Sequence, residues 1–226
     1  MCFSAEASFA ASGVLAASSV AIARIPKEKE SIPLSLFPAV FATHQFIEGL
    51  LWLHHDGYLP DAYQSGAVYA YVLIAYVLWP VFVPLTAYLV ETERPRRLLM
   101  LTCQAIGLCV GLAILLGLFR QPPRVSANCC SLSYQVNAPD SLIVPYVIAV
   151  CLPFLASARK GLVLFGLGLA ASCAAAAVAA SAATFPSVWC FFAAILSAGL
   201  YLHFRTAAQT VVHAPGANAA RGVVAH

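Results

Sequence analysis

Charge is what this sequence has least of. Only 9% of its 226 residues are Asp, Glu, Lys or Arg, against about 25% in ordinary soluble domains, while 62% are hydrophobic and the mean hydropathy is +0.85. That balance excludes water as the main solvent. The twelve Lys and Arg residues fall in short clusters between apolar runs, and no basic patch is interleaved with aromatics, which excludes nucleic acid as a partner. A phosphate-binding glycine loop, a Gly-x-Ser-x-Gly elbow and a His-Glu-x-x-His pair are absent, and with them the chemistries they mark. The last apolar segment has no lysine, so a retinal Schiff base is excluded as well; Lys160 is the only lysine after Lys29.

What the chain does have is long apolar runs. A bilayer core about 30 Å thick is crossed by about 20 mostly apolar residues, and seven such segments are legible: Ala7 to Ala23, Pro33 to Leu53, Gly66 to Val90, Leu98 to Phe119, Ser141 to Ala156, Gly161 to Ala183 and Phe185 to Phe204. The first two are the weakest, one built from Ala, Ser and Gly, the other carrying His44, Gln45 and Glu48. A cleavable leader is the competing reading of the first, but its start carries Glu6 where a leader needs positive charge. The expectation is an all-α, seven-transmembrane-helix bundle over 1–205, with the lipid bilayer as solvent, followed by a partly disordered cytoplasmic tail over 206–226. Ten of the twelve basic residues lie in the first, third and fifth connections and the tail, and only Arg120 and Arg124 lie opposite. By the positive-inside rule the N-terminus is outside and the C-terminus cytoplasmic.

Two organisational features stand out. Trp79-Pro80 and Pro84 predict a kinked third segment, because an internal proline removes a backbone hydrogen bond. Gly161, Gly166, Gly168 and the Ala174 to Ala177 run give the sixth segment small residues for close helix approach. The connection from Arg120 to Asp140 is longer than structureless loops usually are in compact domains, and such loops are functional or disordered.

The second segment concentrates the polar chemistry. At 100° per residue His44, Glu48 and His55 fall at about 0°, 40° and 20°, one narrow stripe. His44 is near mid-span, where an ionisable group costs about 2.5 to 3.5 kcal/mol, so a metal site, a proton relay or a ligand pocket competes with plain helix locking. His55 is about 16 Å from His44 along the helix, too far to share an ion. The derived topology places Cys2, His54, His55, Asp56, Asp61, Cys129 and Cys130 on one side of the membrane; three outer cysteines allow a structural disulfide, a soft-metal site or unpaired thiols. The candidate metal set is His44, Glu48, Cys2, His54, His55, Cys129 and Cys130, for zinc, copper or iron. Candidate ligand-binding residues are Glu6, Gln45, Trp52, Tyr76 and Trp79, with Glu6 alternatively serving as a first-turn charge behind a Ser4 cap. The five cysteines inside apolar segments read as small hydrophobes.

The opening Met1-Cys2-Phe3-Ser4-Ala5-Glu6-Ala7-Ser8-Phe9 and the run Gln45-Phe46-Ile47-Glu48-Gly49 followed by Trp52 resemble an uncharacterised bacterial family of multi-pass membrane proteins that begin Met-Cys-Phe-Ser. That resemblance implies a multi-pass membrane protein of bacterial type and carries no reaction. The chain is similar to ceramidase-like seven-helix metallohydrolases only in topology and membrane-embedded histidines; their spaced histidine pair on a late helix has no counterpart, since the last segment offers only His203. Three readings remain open. The leading one is a transition-metal or metal-cofactor protein, with His44 and Glu48 as inner ligands or a proton relay and Cys2, His54, His55, Cys129 and Cys130 as the outer shell; the alternatives are a small-ligand transporter or sensor in which His44 and Glu48 titrate, and a structural membrane subunit. The sequence sets no oligomeric state.

Overall fold

The computed structural model describes residues 4–128, 131–179 and 184–212. Ser4 starts the first helix, α1 (Ala5–Ala23), by accepting a hydrogen bond from the Ala7 N–H, the cap that satisfies one of the orphan donors of a first turn. Glu6 is exposed, so its first-turn position suits the capping reading. A short α2 (Ile32–Ser35) leads into α3 (Phe37–His55), with Pro38 inside its first turn, where a missing N–H costs nothing. The third segment divides into α4 (Gln64–Val72), a π-helical turn (Leu73–Leu78) and α5 (Trp79–Val90). Then follow α6 (Arg94–Arg120), α7 (Ile143–Leu155), α8 (Lys160–Ala179), α9 (Phe185–Ala198) and α10 (Leu200–Val212). Among the described residues six helices are long and apolar enough to cross a membrane, and a shorter apolar one spans Asp140–Leu155.

The long fourth connection is not structureless. It folds into an antiparallel hairpin, β1 (Arg124–Asn128) and β2 (Ser131–Gln135), in which Val125 pairs with Tyr134 and Ala127 with Leu132. Leu132, Ser133 and Tyr134 are buried, so β2 is driven in by burial of its own side chains and closes one end of the bundle against α9. The all-α expectation is corrected to this extent. The last helix, α10, continues past position 206 to Val212; residues 213–226 lie outside the described residues.

Proline explains the break in the third segment. In the π turn the Trp79 N–H reaches back five residues to the Ile74 carbonyl. In that register the Ala75 carbonyl would need the nitrogen of Pro80, which has no hydrogen. The Tyr146 hydroxyl on α7 donates to it instead. Such π turns recur at functional positions in helices. Replacing Tyr146 with Phe should leave a buried carbonyl without a donor and cost about 1 to 3 kcal/mol, read as a lower thermal midpoint in mild detergent. The small residues of α8 serve packing as expected: a side chain at Gly166 would meet Phe154 and the Leu155 nitrogen of α7, and one at Gly168 would meet Leu196 of α9.

Candidate functional site

The buried face of α3 is a single stripe, Phe37, Phe41, His44, Gln45, Glu48 and Trp52, at the spacing that repeats along one helix face. Gly49 lets α1 close over this helix, because a Cβ there would collide with the Phe9 ring, and Ser12 donates to the Ala42 carbonyl at 2.8 Å. Between α1 on that face and α4 and α9 on the other, His44, Gln45 and Glu48 are sealed from solvent, at 0%, 0% and 2% exposure.

The Ser187 hydroxyl of α9 donates to one Glu48 carboxyl oxygen, and the Gln45 amide nitrogen lies 3.4 Å from the other. The His44 ring stacks on Tyr71 of α4 with centroids 4.1 Å apart, and Tyr71 stacks on Tyr134 of β2 at 4.0 Å and 4° between planes. A file of three flat rings thus runs from the hairpin to the middle of α3. Eight buried side-chain nitrogens and oxygens make no well-formed hydrogen bond among the described residues, and five belong to this cluster: both His44 ring nitrogens, Gln45 Oε1, and the Tyr71 and Tyr134 hydroxyls, although the two hydroxyls approach each other and His44 approaches the Tyr71 backbone. Buried polar atoms are nearly always satisfied, which sets this cluster apart from the rest of the core.

Below the polar cluster on the same stripe lies a cavity of about 30 Å³ lined by the rings of Phe37, Phe41, Trp79, Tyr146, Phe165 and Trp189 and by Cys190. Trp79 stacks on Phe41 at 4.2 Å, and its indole nitrogen has no partner. Cys190 joins the two regions, since it lines the cavity and lies within electrostatic reach of Glu48.

At the hairpin end His54 pairs with Asp61 at 3.0 Å, and His55, though on the predicted stripe, is exposed with only an edge contact to Trp52. It lies past the buried part of the helix. Trp52 is buried with an unpartnered indole nitrogen, and Tyr76 is half-buried on the π turn. Cys2, Cys129 and Cys130 lie outside the described residues. Cys103, Cys109, Cys151, Cys173 and Cys190 are free thiols. Among the described residues no group of three or more His, Cys, Asp and Glu side chains is placed to hold a metal ion.

The opposite end is held by Glu91, which is buried between α5 and α6. One carboxyl oxygen accepts from the Thr92 and Glu93 N–H groups at 2.9 and 3.1 Å, the other from the Ala158 N–H at 2.8 Å and the Ser157 hydroxyl at 3.2 Å. Burial alone would push this carboxyl up; the four donors outweigh it and hold it below the usual carboxylate range. Around it Arg96 donates to the Ala156 carbonyl at 2.6 Å, and Arg159 pairs with Glu28 at 3.6 Å.

Sequence reasoning located His44, Gln45 and Glu48 but not their partners. Tyr71, Tyr134, Ser187 and Glu91 carry no local signal of their own. An unusual pairing of tyrosine with polar neighbours inside a short, alternating Ser-Leu-Ser-Tyr run was the one available hint of a buried β2.

Fold and site together define a helical bundle with membrane-spanning dimensions and a closed polar core. The chain belongs to DUF6629, a family of unknown function, which it matches over residues 1–215. No curated protein and no solved structure matches it.

Proposed function

We propose that this is a seven-span protein of a bacterial-type cell membrane, N-terminus outside, that takes a small ligand into its polar core in exchange for protons at Glu48 and His44, as a transporter or sensor does. The observation that carries the reading is the cluster itself: a carboxylate and five polar atoms without a well-formed hydrogen bond, buried inside an apolar bundle, where ionisable groups mark pathways and relays by default. The charged connections support the topology. The first, third and fifth meet at one end through Glu28, Arg159, Arg96 and Glu91, which is the end that the positive-inside rule assigns to the cytoplasm. The stretch Asp140–Leu155, about 24 Å long at 1.5 Å per residue, runs from the hairpin end to this one and makes the seventh span. Along α6, Leu98, Leu101, Leu108, Leu112, Leu116 and Phe119 are exposed, a stripe suited to acyl chains.

A transition metal is the second reading, favoured by the two nitrogens of His44 that make no well-formed hydrogen bond; zinc, copper or iron would be held by His44 and Glu48 with any further ligands from outside the described residues. Infrared difference spectra between pH 5 and pH 9, on protein purified without chelator or nickel resin, separate these. Proton exchange predicts a carboxylic C=O band that titrates and disappears in Glu48→Gln. Absence of that band sinks the proposal. Stoichiometric metal by elemental analysis, lost in His44→Ala, moves the assignment to the metal reading.

A further inference from the structure

The cavity one turn along α9 from the carboxylate's serine partner narrows the class of ligand. Among the described residues no Lys or Arg is buried, so the Glu48 carboxylate has no basic partner of fixed charge. The groups facing it are His44 and Gln45 on its own helix, Tyr71 on α4, Tyr134 on β2, and Ser187 and Cys190 on α9, with Tyr76 beyond Tyr71 and Cys190. On α1, Phe9 packs against the neighbouring Gly49, Ser8 beside it is buried, and the one carboxylate, Glu6, is exposed. A buried carboxylate without a countercharge is costly. It stays neutral by holding a proton or is neutralised by a cation that enters. One helical turn along α9, about 4.5 Å from Ser187 to Cys190, stands a chamber walled by six aromatic rings, and the faces of such rings attract cations.

We infer that the aromatic chamber lined by Phe41, Trp79, Tyr146 and Trp189, one turn along α9 from the serine that holds Glu48, binds a small amine cation of ammonium or methylammonium size, whose charge displaces the Glu48 proton. This rests on the proton-exchange reading above and adds the ligand's chemistry. Size follows from volume: about 30 Å³ takes roughly two to three water-sized groups at 10 to 15 Å³ each, which suits methylammonium better than a tetramethyl ion. On binding, the carboxyl proton passes to the aqueous side and no covalent bond within the ligand changes.

Two of the three tryptophans line the chamber, so intrinsic fluorescence reports its occupancy. Purified protein would be titrated with methylammonium chloride at pH 8 and pH 5.5, with sodium chloride, methanol and tetramethylammonium chloride as controls. The expected result is a saturable methylammonium response, weaker at pH 5.5, absent for all controls and absent in Glu48→Gln. Loss of one ring in Phe41→Leu should weaken binding roughly tenfold, the upper range for a desolvated cation–ring contact, and this variant retains a hydrocarbon core should Glu48→Gln fail to fold. An equal response to methanol, equal binding by tetramethylammonium, or unchanged affinity in Phe41→Leu overturns the inference. No saturable response to methylammonium, while the Glu48 infrared band still titrates, overturns it and leaves the proton-exchange reading standing.

Discussion

Replacing Glu91 with alanine should lower the stability of the bundle by about 3 kcal/mol, because four donors converge on one buried carboxylate and each buried donor left unmet costs about 1 to 3 kcal/mol, less where water reaches the exposed Thr92, Glu93 and Ala158. The effect should depend on pH in a definite sense. The folded-state carboxyl is held below its ordinary range, so its stabilisation is fully present above the unfolded value of about 4.3 and is lost as pH falls through the lower folded value. Thermal melts in mild detergent should therefore show a gap between wild type and Glu91→Ala that is widest at pH 6 to 8 and closes below about pH 4. A constant gap from pH 7 to pH 3 would show that ionisation at Glu91 contributes nothing. Glu91→Gln keeps one acceptor but turns an NH₂ toward a backbone donor, and should lose about half as much.

Adding one methyl group at Gly107 should be nearly as damaging, and the sign is diagnostic. In a helix interior Gly→Ala ordinarily stabilises by about 1 kcal/mol. At Gly107 on α6, however, the new Cβ would overlap the Pro80 carbonyl oxygen of α5. That carbonyl is exposed to its neighbour because Pro84, four residues on, has no N–H to cover it. The two helices would have to separate, at a cost of about 2 to 3 kcal/mol. Gly13 on α1 has nothing within 4 Å of the same added atom, so Gly13→Ala should match or exceed wild type. Measured side by side, the thermal midpoint of Gly107→Ala should fall while that of Gly13→Ala holds or rises. If Gly107→Ala also stabilises, α5 and α6 do not touch backbone to backbone.

The helices were legible because apolar length is a strong signal and because ionisable residues inside it are rare enough to be conspicuous. His44 and Glu48 could be placed on one face from spacing alone, and their burial follows from that face. His55 shows the limit of the same arithmetic, since an angle fixes a face but not how far along the helix burial extends. Ser187 could not be singled out, because a serine in an apolar segment reads the same whether it bonds its own backbone, as Ser197 does, or a carboxylate on another helix. The π turn escaped notice for a related reason: Pro80 announces a missing bond, but only the position of Tyr146 decides which carbonyl is rescued. The hairpin was hidden by context. Its alternating run is short, and its inward face is set by rings on other helices.

The close fit of α1 over α3 bears on how such a chain enters a bilayer. These two helices are the poorest in hydropathy of the six candidate spans, at 1.4 and 1.2 against 2.3 for α6, and α3 carries the ionisable stripe. Neither partitions strongly alone. Joined by the short basic turn at Arg24, Lys27 and Lys29, they can leave the translocation channel as a paired unit, with Ser12 already on the Ala42 carbonyl and the carboxylate turned away from lipid. Synthesis order would then make the amino-terminal helix a chaperone in cis for the residue on which the site depends.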